Sequence, residues 1–189
     1  MQRNQTDKEH VSELTKPVFL IGFMGAGKSS VARKLARMCG VASVDMDKYI
    51  ERKAGCSIPD IFSDVGEKGF RAIETQVLRE LADDSYHMLV SCGGGIVVKE
   101  ENIEILKDKG YVIHLVVDVD EASRRISDKS SRPLFSDLES ARARLDERRP
   151  AYEAAADANV LTCGKSVYQI ALEVKALLEQ EGVLCRQPR

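Results

Sequence analysis

The stretch Gly22-Phe23-Met24-Gly25-Ala26-Gly27-Lys28-Ser29 brings three glycines, a lysine and a hydroxyl together in the spacing G-x-x-x-x-G-K-S. Glycines let successive backbone N–H groups turn toward a polyphosphate, and a helix starting there adds the positive end of its dipole. The chemistry this suits is phosphate binding. Gly25, Ala26 and Gly27 would form the cradle, and Lys28 would reach the outer phosphates. Ser29 would give a hydroxyl to a magnesium ion, with Ser30 offering a second hydroxyl beside it. A glycine turn without chemistry is the alternative, and the strand before and helix after weigh against it. The loop does not say where the phosphate goes.

Candidates for the rest of the chemistry stand downstream. Asp45 and Asp47, one residue apart at a strand end, point the same way if extended, and suit a magnesium ion or a substrate hydroxyl. Asp47 as the N-cap of the following helix is an equally open reading. Arg71 and Glu74 have the i, i+3 spacing that by itself reads as a solvated helical ion pair. Gly93-Gly94-Gly95 after a strand permits close backbone approach to a ligand, because no Cβ stands in the way. Val116-Val117-Asp118 has the form of a magnesium-holding strand end, a role for which the run at Ser91 competes, but capping accounts for Asp118 and Asp120. His87 and His114 have no Ser or Cys partner at an interpretable spacing and read as structural.

The elements that must position these residues follow from periodicity. Short apolar runs at 18–21, 41–45, 88–91, 111–117 and 159–162 read as buried parallel strands. Between them, Val31, Leu35 and Met38 share one helical face, as do Phe70, Ile73, Val77 and Leu81 of a helix over 67–82. Ser57-Ile58-Pro59-Asp60 has capping form for a short helix through 65, which Gly66 ends. A helix over 101–109 stops at Gly110. The polar stretch 127–136, interrupted by Arg132-Pro133, reads as a loop. Ser136-Asp137-Leu138-Glu139 starts a helix that Pro150 bends or terminates. Ser166 caps a last helix with Ile170, Val174, Leu177 and Leu178 inward, ended by Gly182. Alternating strands and helices imply one α/β domain, a five-stranded parallel sheet with helices on both faces, over 17–182. Residues 1–16 and 183–189 read as polar or frayed tails.

Composition narrows the function classes. A net charge of −2 gives no global attraction for anions, and 5% aromatics with no Trp leaves little for base stacking, so nucleic acid is not expected as a partner. Five cysteines with no C-x-x-C suggest reduced thiols and no zinc site. No run reaches membrane-spanning length and no signal peptide is read, so a cytoplasmic location without membrane contact is expected.

Taken together, these residues resemble the shikimate kinase family over nearly the whole span from Val18 to about Leu178. The resemblance is carried by the Gly22–Ser29 loop, Asp45-x-Asp47, Ser57-Ile58 through Ile61-Phe62, Gly66-Glu67 and Phe70-Arg71-x-x-Glu74. It is carried further by Gly93-Gly94-Gly95, Arg132-Pro133-Leu134 and Glu147-Arg148-x-Pro150-x-Tyr152. It implies a nucleoside-monophosphate-kinase-like P-loop fold with a lid, acting as a monomer, and transfer from ATP with Mg2+ to the 3-hydroxyl of shikimate. By resemblance, Asp47 holds the acceptor hydroxyl, as its base or as an orienter, and Asp45 lies near the magnesium ion. Arg71 and Arg148 hold the shikimate carboxylate, with Glu74 orienting Arg71, and Gly93, Gly94 and Gly95 form the platform for its hydroxyls. Phe62 and Phe70 line its apolar side, Arg125 stacks on adenine, and Arg132 closes over the transferring phosphate. Phe135, where the family often has Leu, and Cys92, where an aliphatic residue is common, are small departures.

Overall fold

The computed structural model describes residues 12–84, 87–125 and 138–186. Its centre is β2 (Val18–Ile21), with all four side chains buried. β2 pairs in parallel with β4 (Leu89–Ser91) on one side and β5 (Tyr111–Val116) on the other, in the registers Val18↔Leu89 and Val18↔Tyr111. β3 (Ser43–Asp45) and β6 (Ala158–Leu161) complete a five-stranded parallel sheet in the order β3-β4-β2-β5-β6. Continuous apolar strands are what a sheet covered on both faces requires.

Helices supply the cover. α1 (Lys28–Cys39) packs on α7 (Val167–Gln180). α3 (Ile58–Ala82) packs on α2 (Met46–Ala54) and α4 (Glu100–Lys109). α6 (Leu138–Ala155) packs on α4 and on α5 (Val119–Arg125). The capping boxes expected at Ser57 and Ser166 are both formed. The two helices expected around Gly66 are one element with a break, since Gly66 takes φ 68° and ψ −179°, a conformation that favours glycine.

Three expectations differ from the structure, and one element is unexpected. The cap of α2 is Asp45, whose carboxylate accepts from the Lys48 N–H at 3.2 Å, and Asp47 lies inside the first turn. The two aspartates therefore do not share an extended segment. Pro150 does not end the helix containing it. Burial of Leu145 before it and of Tyr152 and Ala155 after it holds the segment helical despite the lost backbone hydrogen bond. The unexpected element is Ile96–Val98, a short 3-10 turn that periodicity does not show.

Lastly, the chain ends are not both loose. β1 (Ser12–Leu14) pairs antiparallel with β7 (Leu184–Arg186), and Leu14 and Leu184 face each other buried. Two short strands with one inward leucine each are too brief to show as a pattern, and only their meeting makes them stable. The expected loop 127–136, Arg132 and the start of α6 at Ser136 lie outside the described residues.

Candidate active site

Two clusters of side chains meet at the carboxyl ends of β2, β3 and β4. The first is built on the glycine loop. Gly22 leaves the central strand at φ 138°, so close to β5 that a Cβ would lie 2.5 Å from the Leu115 carbonyl oxygen. Only glycine fits there. Lys28 opens α1 and is buried, its Nζ donating to the carbonyls of Gly22 at 2.7 Å and Phe23 at 3.0 Å, within the curve of the loop. Ala26 is buried and its N–H closes the loop on the Phe23 carbonyl at 3.2 Å. Ser29 Oγ lies 3.1 Å from Ser91 Oγ, tying the first turn of α1 to the end of β4.

A cleft of about 660 Å3 opens in front of this loop. Gly25, Gly27, Lys28, Ser29 and Ser30 form its floor, and Asp45 and Asp47 stand on one wall. Arg125 and Lys165 stand in the lining as well. Arg125 is fixed by Thr162, its Nη1 donating to the hydroxyl at 3.0 Å and its Nη2 to the carbonyl at 2.6 Å, and its Nε donates to Glu121 at 3.0 Å. Asp118 accepts from the Glu121 N–H at 2.7 Å, which matches the capping role read for it.

The second cluster surrounds the glycine turn after β4. Arg71, on α3, donates from Nη1 to Glu74 Oε2 at 2.8 Å and from Nη2 to Glu67 at 3.4 Å, with its guanidinium 5.3 Å from the centre of the Phe70 ring. Phe70 in turn stacks on Phe62, centroids 4.5 Å apart. Glu74 is only 1% exposed, so the pair is not the solvated one that spacing alone suggests. Burial pushes the Glu74 carboxyl above its ordinary value, the Arg71 charge pulls it back, and nearby Asp47 adds to the rise. Arg71 Nε is buried with no hydrogen-bond partner among the described residues.

Gly93 and Gly95 are there for space, while Gly94 has room for ordinary contact. A Cβ on Gly93 would lie 2.8 Å from Asp47 Oδ1 and 3.0 Å from Glu74 Oε1, and one on Gly95 would run into both terminal nitrogens of Arg71. A Cβ on Gly94 would come within 3.5 Å of the Met24 nitrogen in the glycine loop. Arg148 Nη1 donates to the Gly94 carbonyl at 3.3 Å, and the Tyr152 hydroxyl donates to the same oxygen at 2.6 Å.

Phe62, Phe70, Arg71, Gly93, Gly95 and Arg148 are thus not part of the wall of the large cleft; they join it where Asp47 and Gly94 are shared. Cys92, between the clusters, is buried, and burial pushes its thiol up, which leaves it a neutral filler and not a nucleophile. Thr162 and Lys165 escape sequence reasoning. Lys165 lines the cleft and Thr162 stands behind it holding Arg125, because β6 lies beside β5, a neighbour relation that no local pattern encodes.

This sheet order, with a central strand feeding a glycine loop and a lysine-led helix, defines a P-loop kinase fold. Comparison with known proteins narrows the class. A family model for shikimate kinase matches residues 24–179. A shikimate kinase of Geobacter metallireducens is 39% identical over 164 residues, covering 86% of this chain and 91% of that one. One from Bacillus anthracis is 35% identical over 167 residues, covering 87% and 99%. Among solved structures, shikimate kinase from Acinetobacter baumannii in complex with shikimate superposes with a TM-score of 0.83 at 34% identity, covering 88% of this chain and 94% of that one. The chain belongs to the shikimate kinase family.

Proposed function

We propose that the chain transfers the γ-phosphoryl group of ATP to the 3-hydroxyl of shikimate, giving shikimate 3-phosphate and ADP on the route to chorismate and the aromatic amino acids. The observation that carries this reading is the meeting of Arg71, Arg148 and Asp47 at the Gly93–Gly95 turn, against the loop that holds Lys28 and Ser29. Two guanidinium groups and a carboxylate around bare backbone suit a small molecule bearing one carboxylate and several hydroxyls. The Acinetobacter baumannii relative was solved with shikimate bound.

In this account the loop and Lys28 hold the β- and γ-phosphates, and Arg125, fixed by Thr162, packs on the adenine. Arg71 and Arg148 take the shikimate carboxylate, and the unpartnered Arg71 Nε is one of the donors left for it. Phe62 and Phe70 cover the apolar side of the ring. Glu74 keeps the Arg71 fork in place. Asp47 aligns the 3-hydroxyl and takes its proton, Lys28 offsets charge on the phosphoryl group, and Arg132 closes over it. Phosphoryl transfer passes through a loose transition state, so positioning and charge dominate over deprotonation.

Ser29 and Asp45 would hold Mg2+. A hydroxyl and a single carboxylate beside the loop fit an ion that keeps waters and shares phosphate oxygens, and no cluster of three or more His, Cys, Asp or Glu able to cage a metal occurs among the described residues. The ion supplies charge neutralisation on the phosphates.

The kinase domain spans 17–182, with the β1–β7 ribbon as an appended clasp. The chain works as a cytoplasmic monomer on small molecules, without nucleic acid or membrane. Its net charge of −2 favours neither surface, and no helix of the described residues is long and apolar enough to cross a membrane. The test is ADP release measured with shikimate, quinate and gluconate in turn. Shikimate should support turnover at least tenfold above the others. Equal or faster turnover with either alternative would overturn the assignment.

A further inference from the structure

The carbonyl groups of the glycine turn are all engaged by the protein. Gly93 O accepts from the Ile96 N–H at 3.2 Å and Gly95 O from the Val98 N–H at 3.0 Å, while Gly94 O accepts from Tyr152 and Arg148. No N–H of Gly93, Gly94 or Gly95 donates within the described residues. In a trans peptide the N–H points opposite the C=O, so what holds the Gly94 oxygen sets the direction of the Gly95 N–H, as the Ile96 bond to the Gly93 oxygen sets that of the Gly94 N–H.

We propose that Tyr152 is a positioning residue for the acceptor: its hydroxyl fixes the Gly94 carbonyl, and through that shared oxygen the Arg148 guanidinium, so that the turn presents the Gly95 N–H to shikimate. The proposal rests on the acceptor site given under Proposed function and deepens it. The Tyr152 contact is the shorter of the two, 2.6 Å against 3.3 Å for Arg148. A carbonyl oxygen has two lone pairs, so both donors are accommodated, and the tyrosine leaves Arg148 a single direction from which to share it.

Tyr152 is itself rigidly seated. Its ring is buried and stacks on His114 of β5, with centroids 4.9 Å apart and planes at 17°. His114 Nδ1 and Asn159 Oδ1 are 3.0 Å apart, which anchors that ring to β6. The hydroxyl on α6 is thereby indexed to the middle of the sheet. Burial pushes the Tyr152 phenol up to about 12, so it stays a proton donor throughout the neutral range. α6 continues unbroken through Pro150, which keeps Arg148 and Tyr152 on one helix one turn apart, both reaching the same oxygen.

The test is Tyr152→Phe, which keeps the ring stack and removes only the hydroxyl, measured beside Arg148→Lys. For Tyr152→Phe we expect the shikimate KM to rise roughly three- to tenfold, the loss of one hydrogen bond, with the ATP KM within about twofold. A merely structural tyrosine would instead lower the melting temperature and scale down kcat, leaving both KM values unchanged. If Arg148→Lys raises the shikimate KM while Tyr152→Phe leaves it within about twofold, the positioning role is overturned and the acceptor site stands. If Arg148→Lys also leaves it unchanged, the acceptor site is what fails, and the proposal falls with it.

Discussion

Gly95→Ala separates the acceptor site from the donor site with a single methyl group. Gly95 has φ −103° and ψ 7°, a backbone that alanine can adopt, so the substitution adds volume without backbone strain. That volume falls on both terminal nitrogens of Arg71. To regain van der Waals separation the guanidinium must recede by about 1 Å. It has little freedom to do so, because Glu74 holds it at 2.8 Å, Glu67 at 3.4 Å, and the Phe70 ring lies on one side. Losing one charge-assisted contact to a carboxylate costs roughly 1.5–3 kcal/mol, which corresponds to roughly a 10- to 150-fold rise in the shikimate KM. The ATP KM should stay within about twofold. Gly110→Ala is the control, since its Cβ would meet the Phe19 ring and lie 2.6 Å from the Pro17 carbonyl oxygen, far from either cluster. Overpacking there costs about 1–3 kcal/mol and lowers the melting temperature by roughly 2–12 °C with both KM values unchanged. Steady-state kinetics and thermal denaturation of the two variants decide the matter. An unchanged shikimate KM for Gly95→Ala, or equal rises for shikimate and ATP, would refute the reasoning.

Asp47→Asn should lower turnover by on the order of 10²–10⁴ if the carboxylate takes the proton, whereas a variant with near-normal kcat would reduce Asp47 to a binding role. Stability should carry two opposed pH dependences. Burial holds His114 below its ordinary value of 6.5, so the unfolded chain binds that proton first and stability falls as pH drops below 6.5. Glu74 is held above its ordinary 4.5, so the folded chain keeps that proton longer, and stability rises as pH falls through the folded value. Glu74→Gln, which removes the second contribution, should therefore lose more stability than the parent between pH 6.5 and pH 4.5 in urea titrations; an equal or smaller loss would contradict the direction assigned to Glu74. Leu14→Ala should cost about 2–5 kcal/mol by opening the β1–β7 clasp while leaving both KM values as they are. A loss of activity without a loss of stability would make the clasp part of the site.

Much of this arrangement is legible in the chain itself, for a physical reason. The Gly22–Ser29 loop is a local signal, because strand, turn and helix are consecutive and each glycine has a conformational or steric duty. The same is true of the capping boxes at Ser57 and Ser166. What escapes is whatever depends on distant neighbours. The Arg71–Glu74 spacing is identical for a surface pair and a buried one, and only the packing of α3 beneath the glycine turn makes Glu74 inaccessible. Asp45 and Asp47 compete for one cap, and a helix starting two residues earlier than expected gives it to Asp45. Lys165 comes to the cleft, and Thr162 to the Arg125 that lines it, through the order of the sheet. Pro150 sits in a helix because burial on both sides of it outweighs a local penalty.

The phosphoryl group of ATP should arrive at one particular oxygen, the 3-hydroxyl of shikimate. Proton–phosphorus correlation NMR of the product made from ATP and shikimate reads that oxygen directly. The arrangement of Lys28, Asp47, Arg71 and Arg148 calls for a single phosphate monoester whose phosphorus couples to the ring proton at carbon 3. An ester at another hydroxyl, or free inorganic phosphate alone, would contradict it.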